Sequence, residues 1–201
     1  MLNLRPAVGR VVGPLAARLL RAGVTPDMVT IAGVIGAVAA ALGLIARGHF
    51  FLGGVLVTVS VLTDALDGTM ARLRGPSGPW GAFLDSTLDR IADASIFCAL
   101  AIWYAGPGDS SVLLAVSLFC LVAGAVTSYA KARAEGLGMT CNVGLAERVE
   151  RLILILAGVI LAGLGLDVAL AVALWLLAVA SAITVGQRML EVHRQATATA
   201  P

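Results

Sequence analysis

The sequence predicts an all-α integral membrane protein: six transmembrane helices preceded by an amphipathic helix at the membrane interface. Three observations predict it. Of 201 residues, 59% are hydrophobic and only 13% charged, with a mean hydropathy of +0.96, a balance outside the range of water-soluble domains. The apolar residues fall into six stretches of about the ~20 residues that a span requires. Ala, Leu, Val and Gly dominate, and aromatics make up only 5%, which suits helices packed closely within a bilayer.

Leu4–Arg21 comes first, with Arg5, Arg10, Arg18 and Arg21 set among Val and Leu. It is too charged to cross and suits the membrane surface. The N-terminal residues carry no apolar core followed by a small-residue cleavage site, so no signal peptide is expected. Thr25-Pro26-Asp27 is a helix start, with Thr25 as N-cap and Pro26 at the first helical position. The expected spans are Met28–Ala46, Phe50–Arg72, Ala82–Tyr104, Val112–Ala134, Val149–Leu164 and Val168–Leu190. In the first of them Ala32, Gly36 and Ala40 form a small-residue stripe for close packing. Residues 197–201 are expected to be a disordered tail. The whole chain, 1–201, reads as one domain, with 1–24 as the interfacial helix and 28–190 as the six-helix core. Cys98, Cys120 and Cys141 are isolated in sequence, so reduced structural thiols are expected.

Basic residues set the orientation. Of the 14, all but Arg47 fall on one side of the predicted topology. Both termini are therefore expected in the cytoplasm of a bacterium, with the chain crossing its inner membrane. No nucleic-acid partner is expected.

Between Asp64 and Asp89 the chain reads D-x2-D-G-x2-A-R-x8-G-x3-D-x3-D. Asp64 and Asp67 share one helix face, as do Asp85 and Asp89. Charges at membrane depth are costly, and a cluster of them marks a functional site. Gly68 and the run Arg74–Gly81, with Gly75, Pro76, Gly78 and Pro79, are expected to break the helices and let the second pair fold back on the first. Four carboxylates in a low-dielectric pocket need compensating charge. Hard divalent cations supply it, and two Mg2+ ions can clamp a pyrophosphate. Arg72, one turn past Gly68, suits a phosphate because its planar fork binds two oxygens at once. Asp93, Asp109 and Asp167 read as packing or helix-end residues, and Asp27 as a first-turn acid. A cation or proton path is the competing class. The absence of a repeat between the two halves, and the clustering at one membrane face, favour interfacial chemistry.

The motif resembles, at all eight fixed positions, the signature of the CDP-alcohol phosphotransferases, a family of six membrane helices. That resemblance implies transfer of a phosphatidyl-type group from a CDP-linked lipid to an alcohol, with release of CMP. It implies that Asp64, Asp67, Asp85 and Asp89 hold two metal ions, Mg2+ or alternatively Mn2+, and that Asp89 is also the base for the acceptor hydroxyl. It further implies that Asp27, Met28, Val29, Thr30, Gly68, Arg72 and Gly78 bind CDP-diacylglycerol. A small hydroxyl residue is more usual at the Gly78 position, and Ser77 stands beside it.

The acceptor is read from the rest of the chain. Glycerol-phosphate branches tend to LDPxADK at the second acidic pair, where this chain has LDSTLDR. KARAE (131–135), GLAERVER (144–151) and Arg188 resemble the bacterial phosphatidylinositol-phosphate synthases. By that resemblance Lys131, Arg148, Arg151 and Arg188 hold the phosphate of 1D-myo-inositol 3-phosphate. A phosphate near −2 warrants such a basic cluster, whereas free inositol or serine does not. Glu147 and Glu150 are expected to orient the two arginines. Glycerol 3-phosphate is the runner-up acceptor, and free inositol or serine a third. A homodimer within the membrane lipids is expected from the resemblance, and from small or polar positions on spans three and four: Ala94, Ser95, Ala99, Ser117, Gly124 and Ser128.

Overall fold

The structure, a computed structural model, describes residues 5–74 and 78–198. The expected helix start at Leu4, the loop residues 75–77 and the tail residues 199–201 lie outside them, as do the side chains of Arg5 and Arg10. The described residues form seven α-helices: α1 Arg5–Arg21, α2 Pro26–Gly43, α3 Phe50–Arg74, α4 Pro79–Ala105, α5 Ser111–Gly136, α6 Arg148–Gly163 and α7 Asp167–Ala198. One 3-10 turn, Ile45–Arg47, follows α2. Thr25 caps α2 as its sequence implies, its hydroxyl accepting from the Met28 amide at 3.3 Å.

Helices α2 to α7 close into a ring. α2 packs on α3, α3 on α6, α6 on α7, α7 on α5, α5 on α4, and α4 back on α2, while α1 lies against α3. Fully buried Val57, Ile96, Leu100, Ile155, Leu174 and Leu177 fill its centre. The outward faces of the same helices carry exposed Leu56, Leu62, Phe119, Val122, Leu176 and Val179. This is the apolar exterior of a membrane protein, since lipid takes the place that core takes in water.

Four segments among the described residues are long and apolar enough to cross a membrane: Pro26–Arg47, Phe50–Leu73, Ser111–Gly136 and Asp167–Ala198. Helices α4 and α6, expected as spans, do not reach that standard. The first half of α4 carries Asp85, Asp89, Arg90 and Asp93. The 16 residues of α6 reach ~24 Å, short of the ~30 Å hydrocarbon core.

Three further expectations are corrected. Gly68 does not break a helix but lies inside α3, whose end at Arg74 and restart at Pro79 leave only the Gly/Pro run as the break. The packing stripe of α2 is Gly33, Gly36, Ala37 and Ala40, because Ala32 is exposed. A Cβ at Gly33 would strike Thr63, and one at Gly36 would press on Ser60 Oγ at 3.0 Å. Finally, Thr197 and Ala198 belong to α7 rather than to a tail, the Thr197 hydroxyl bonding back to the His193 carbonyl at 3.0 Å.

Backbone contact is closest where α6 meets α3. A Cβ on Gly163 would run into the main-chain nitrogen and Cα of Phe51, atoms that cannot step aside. Gly163→Ala is therefore expected to destabilise by ~1–3 kcal/mol, measured as a lower thermal transition in detergent. An unchanged transition would refute this contact.

Candidate active site

The acidic residues lie on neighbouring turns of two helices. Asp64 and Asp67 project from α3, and Asp85, Asp89 and Asp93 from α4. Successive fourfold spacing puts the last three on one face. Asp67, Asp89 and Asp93 are buried, Asp64 is half-buried and Asp85 is exposed.

A guanidinium sits among them. Arg148, the first residue of α6, reaches Asp89 Oδ1 with Nη2 at 2.7 Å, Asp64 Oδ2 with Nη1 at 3.1 Å and Asp93 Oδ1 with Nε at 3.3 Å. One turn on, the buried Arg151 donates through Nη2 to Asp93 Oδ2 at 3.3 Å and through Nη1 to the Ala146 carbonyl at 3.4 Å. The result is one continuous charged network spanning α3, α4 and α6. It corrects the expectation that Glu147 and Glu150 orient the two arginines. Glu147 instead faces Arg188 Nη2 at 3.7 Å, because both arginines point inward to the carboxylates. Asp93, read from sequence as a packing residue, is the hub of this network. The signal was present as a second fourfold step, Asp85–Asp89–Asp93.

The remaining candidates take separate positions. Asp67 Oδ2 accepts from the Thr30 hydroxyl at 2.5 Å, tying α3 to the first turns of α2. Asp27 and Val29 are half-buried in that first turn and Met28 is exposed. Arg72 is exposed, with Nη2 on Thr69 Oγ1 at 2.9 Å, and Gly78 is the exposed N-cap of α4. Among the described residues a Cβ at Gly68 would meet only Arg72 Nη1, at 3.7 Å, so their packing does not require glycine there. Lys131 pairs with Glu135 at 4.0 Å. Arg188 is buried, donating Nε to the Val143 carbonyl at 3.0 Å and Nη1 to the Thr127 carbonyl. Where α2, α3, α4 and α6 meet, a shallow recess is lined by Gly33, Ala37, Ser60, Asp64, Ala92 and Arg148.

Among the described residues, no three acidic, histidine or cysteine side chains are grouped so as to hold a metal ion. The donor set nonetheless fits one. It consists of hard carboxylate oxygens, the ligands that Mg2+ and Mn2+ prefer. The charge of Arg148 stands between Asp64 and Asp89 where such oxygens demand a cation.

The small and polar residues of α4 and α5 that suggested a dimer serve the subunit itself. Ala99 and Ser117 are fully buried, Ser95 bonds to the Ala92 carbonyl, Ser128 bonds to the Gly124 carbonyl, and Gly124 lies under the Arg151 guanidinium.

A sequence profile described as CDP-alcohol phosphatidyltransferase matches residues 23–186. The chain belongs to this family. A phosphatidylinositol phosphate synthase of Streptomyces avermitilis is 50% identical over 193 residues, covering 92% of this chain and 79% of that protein. One of Cutibacterium acnes is 45% identical over 96% of this chain and 97% of its own. The crystal structure of the Mycobacterium tuberculosis phosphatidylinositol phosphate synthase with CDP-DAG bound superposes with a TM-score of 0.88. It is 46% identical, over 91% of this chain and 94% of that one. A second structure of that protein, in complex with manganese and citrate, gives a TM-score of 0.85 at 46% identity, over 90% of this chain and 88% of that one. Membership makes the chain a membrane transferase of phospholipid biosynthesis that uses divalent metal.

Proposed function

We infer that the protein moves the phosphatidyl group of CDP-diacylglycerol to 1D-myo-inositol 3-phosphate, giving phosphatidylinositol phosphate and CMP. The observation that carries this reading is the network in which Arg148 and Arg151 join Asp64, Asp89 and Asp93. It sets anion-binding guanidiniums beside the carboxylates that the reaction uses. The names of the relatives support the acceptor, and the CDP-DAG bound by the mycobacterial synthase supports the donor.

Asp64, Asp67, Asp85 and Asp89 would hold two Mg2+ ions, or Mn2+, which supply charge neutralisation at the pyrophosphate of the donor. Asp27, Met28, Val29, Thr30, Gly68, Arg72 and Gly78 bind the CDP moiety. Lys131, Arg148, Arg151 and Arg188 hold the acceptor phosphate. The acceptor hydroxyl attacks the phosphorus that carries the diacylglycerol. The bond from that phosphorus to the bridging oxygen breaks, CMP leaves with the bond's electrons, and Asp89 takes the hydroxyl proton. All six helices α2 to α7 cross the inner membrane of a bacterium as one domain, α4 with its charged half in the polar pocket and the shorter α6 starting from that pocket. Both termini and the site face the cytoplasm, where the basic residues collect. The homodimer rests on the family resemblance, since the small residues of α4 and α5 are spent within the subunit.

The test follows CMP release by the purified protein with CDP-diacylglycerol, Mg2+ or Mn2+ and a panel of alcohols. Release is expected with inositol 3-phosphate and little with glycerol 3-phosphate, inositol or serine, and a chelator should abolish it. Equal rates with inositol and its phosphate would overturn the acceptor. No release with any alcohol, together with proton or cation movement in liposomes, would favour a transporter.

Gly68 permits a sharper check. Alanine inside a helix is favoured over glycine by ~0.5–1 kcal/mol, and its methyl meets nothing closer than 3.7 Å here. Gly68→Ala is expected to keep or raise thermal stability while raising the KM for CDP-diacylglycerol. An unchanged KM would remove Gly68 from the nucleotide site.

A further inference from the structure

Helix α6 begins without a cap of its own, for its N-cap residue Glu147 makes no side-chain hydrogen bond to the helix. The two residues just before that N-cap are held from another helix. Thr184 of α7 is fully buried, and its Oγ1 accepts from the Leu145 amide at 3.1 Å and the Ala146 amide at 3.0 Å. The same hydroxyl donates to the Ala180 carbonyl at 2.8 Å, so its one proton and both lone pairs are used. One of the residues it holds also anchors the site, since the Ala146 carbonyl accepts from Arg151 Nη1. The fit around it is close: Gly144 has φ +152°, and a Cβ there would press into the Thr184 methyl group. Two more residues on α7 hold the same loop. Arg188 grips the Val143 carbonyl at 3.0 Å, and the Gln195 side chain pairs with the Thr140 amide at 3.1 Å and its carbonyl at 2.7 Å.

We propose that Thr184 is a positioning residue for the acceptor, fixing the start of α6 so that Arg151 and Arg148 present their guanidiniums to the acceptor phosphate. This rests on the reading of those arginines as acceptor contacts. Thr184 touches neither substrate; it acts through residues 145 and 146. A hydroxyl at this position is thus chiefly a determinant of acceptor affinity, since it reaches the donor side only through the ion pairs of Arg148 with Asp64 and Asp89.

The decisive variants are Thr184→Val, which keeps the shape and loses the acceptor oxygen, and Thr184→Ser, which keeps the oxygen. With whichever alcohol the wild-type protein uses, Thr184→Val is expected to raise the acceptor KM about tenfold or more, the effect of one buried hydrogen-bond group lost. The KM for CDP-diacylglycerol should rise clearly less, since Thr184 reaches the carboxylates of α3 and α4 only through Arg148, and Thr184→Ser should restore the acceptor KM. Gln195→Ala, on the exposed end of the same face, should raise the acceptor KM in the same selective way and carries the test where Thr184→Val does not fold. An unchanged acceptor KM, equal rises in both KM values, or failure of serine to rescue would overturn the proposal. A change of the preferred alcohol in wild type would overturn the acceptor assignment alone.

Discussion

Asp89→Asn is expected to reduce phosphatidyl transfer by roughly 10²–10⁴-fold, the range for a lost general base, while CDP-diacylglycerol binding stays measurable. The amide has the shape of the carboxylate, so α4 keeps its packing, but it cannot take a proton from the acceptor. It also withdraws one charge from the set that would hold metal, so the metal concentration for half-maximal turnover should rise. Equilibrium binding of labelled CDP-diacylglycerol beside CMP release separates the two effects. If Asp89→Asn kept most of the wild-type turnover, the base assignment would be wrong. Asp93 is a poor substitute although it is one turn along the same face. Both its oxygens hold arginines at 3.3 Å, Oδ1 Arg148 Nε and Oδ2 Arg151 Nη2, whereas Asp89 Oδ2 has only the looser Arg90 Nη2 contact at 3.6 Å.

Breaking the buried Asp93–Arg151 pair should produce the largest loss of stability. Both residues are buried, at 9% and 3% exposure, so removing one leaves the other's charge without water. Asp93→Leu or Arg151→Met alone is expected to cost ~3–5 kcal/mol. The double variant should recover most of this, since apolar residues of similar volume replace a buried pair at little cost. Transfer to the phosphorylated acceptor should stay lost in all three, because Arg151 is then absent or mispositioned. Thermal unfolding in detergent with CMP release reads both outcomes. A double variant no more stable than the singles would show that the pair is not an isolated buried couple.

How much of this was legible in the chain depended on the range of the interaction. Local signals read correctly: Thr25 caps α2 through its own Met28 amide, and the six apolar stretches became six of the helices, with boundaries close except that α7 runs past its expected end at Leu190 to Ala198. The spacing of the acidic residues also placed each pair on its own helix. Partner choice was another matter. Arg148 bonds to Asp64, 84 residues away, in preference to the adjacent Glu147 and nearby Glu150, because burial favours whichever carboxylates share the desolvated pocket. Nothing in the neighbourhood of Arg148 encodes that. Gly68 misled for a related reason. Glycine is a helix breaker in isolation, but α3 packs along a continuous line of neighbours and carries it within the helix. The hold of α7 on the residues before α6 was equally invisible, since Thr184 lies 38 residues from the Ala146 amide that donates to it.

The Thr30 hydroxyl has two acceptors within reach, Asp67 Oδ2 at 2.5 Å and the Pro26 carbonyl at 3.1 Å, and only one proton to give. Whatever occupies the Asp67 carboxylate therefore alters where that proton points, at the end of α2 assigned to the nucleotide. Two equilibria that share one proton in this way cannot be independent. Under the proposed roles, a cation drawn to Asp67 changes nucleotide affinity, and nucleotide changes cation affinity by the same factor, as reciprocity demands. Thr30→Val would remove this part of the coupling: the effect of each ligand on the other's affinity should shrink, and nucleotide affinity itself should fall because the hydroxyl is lost.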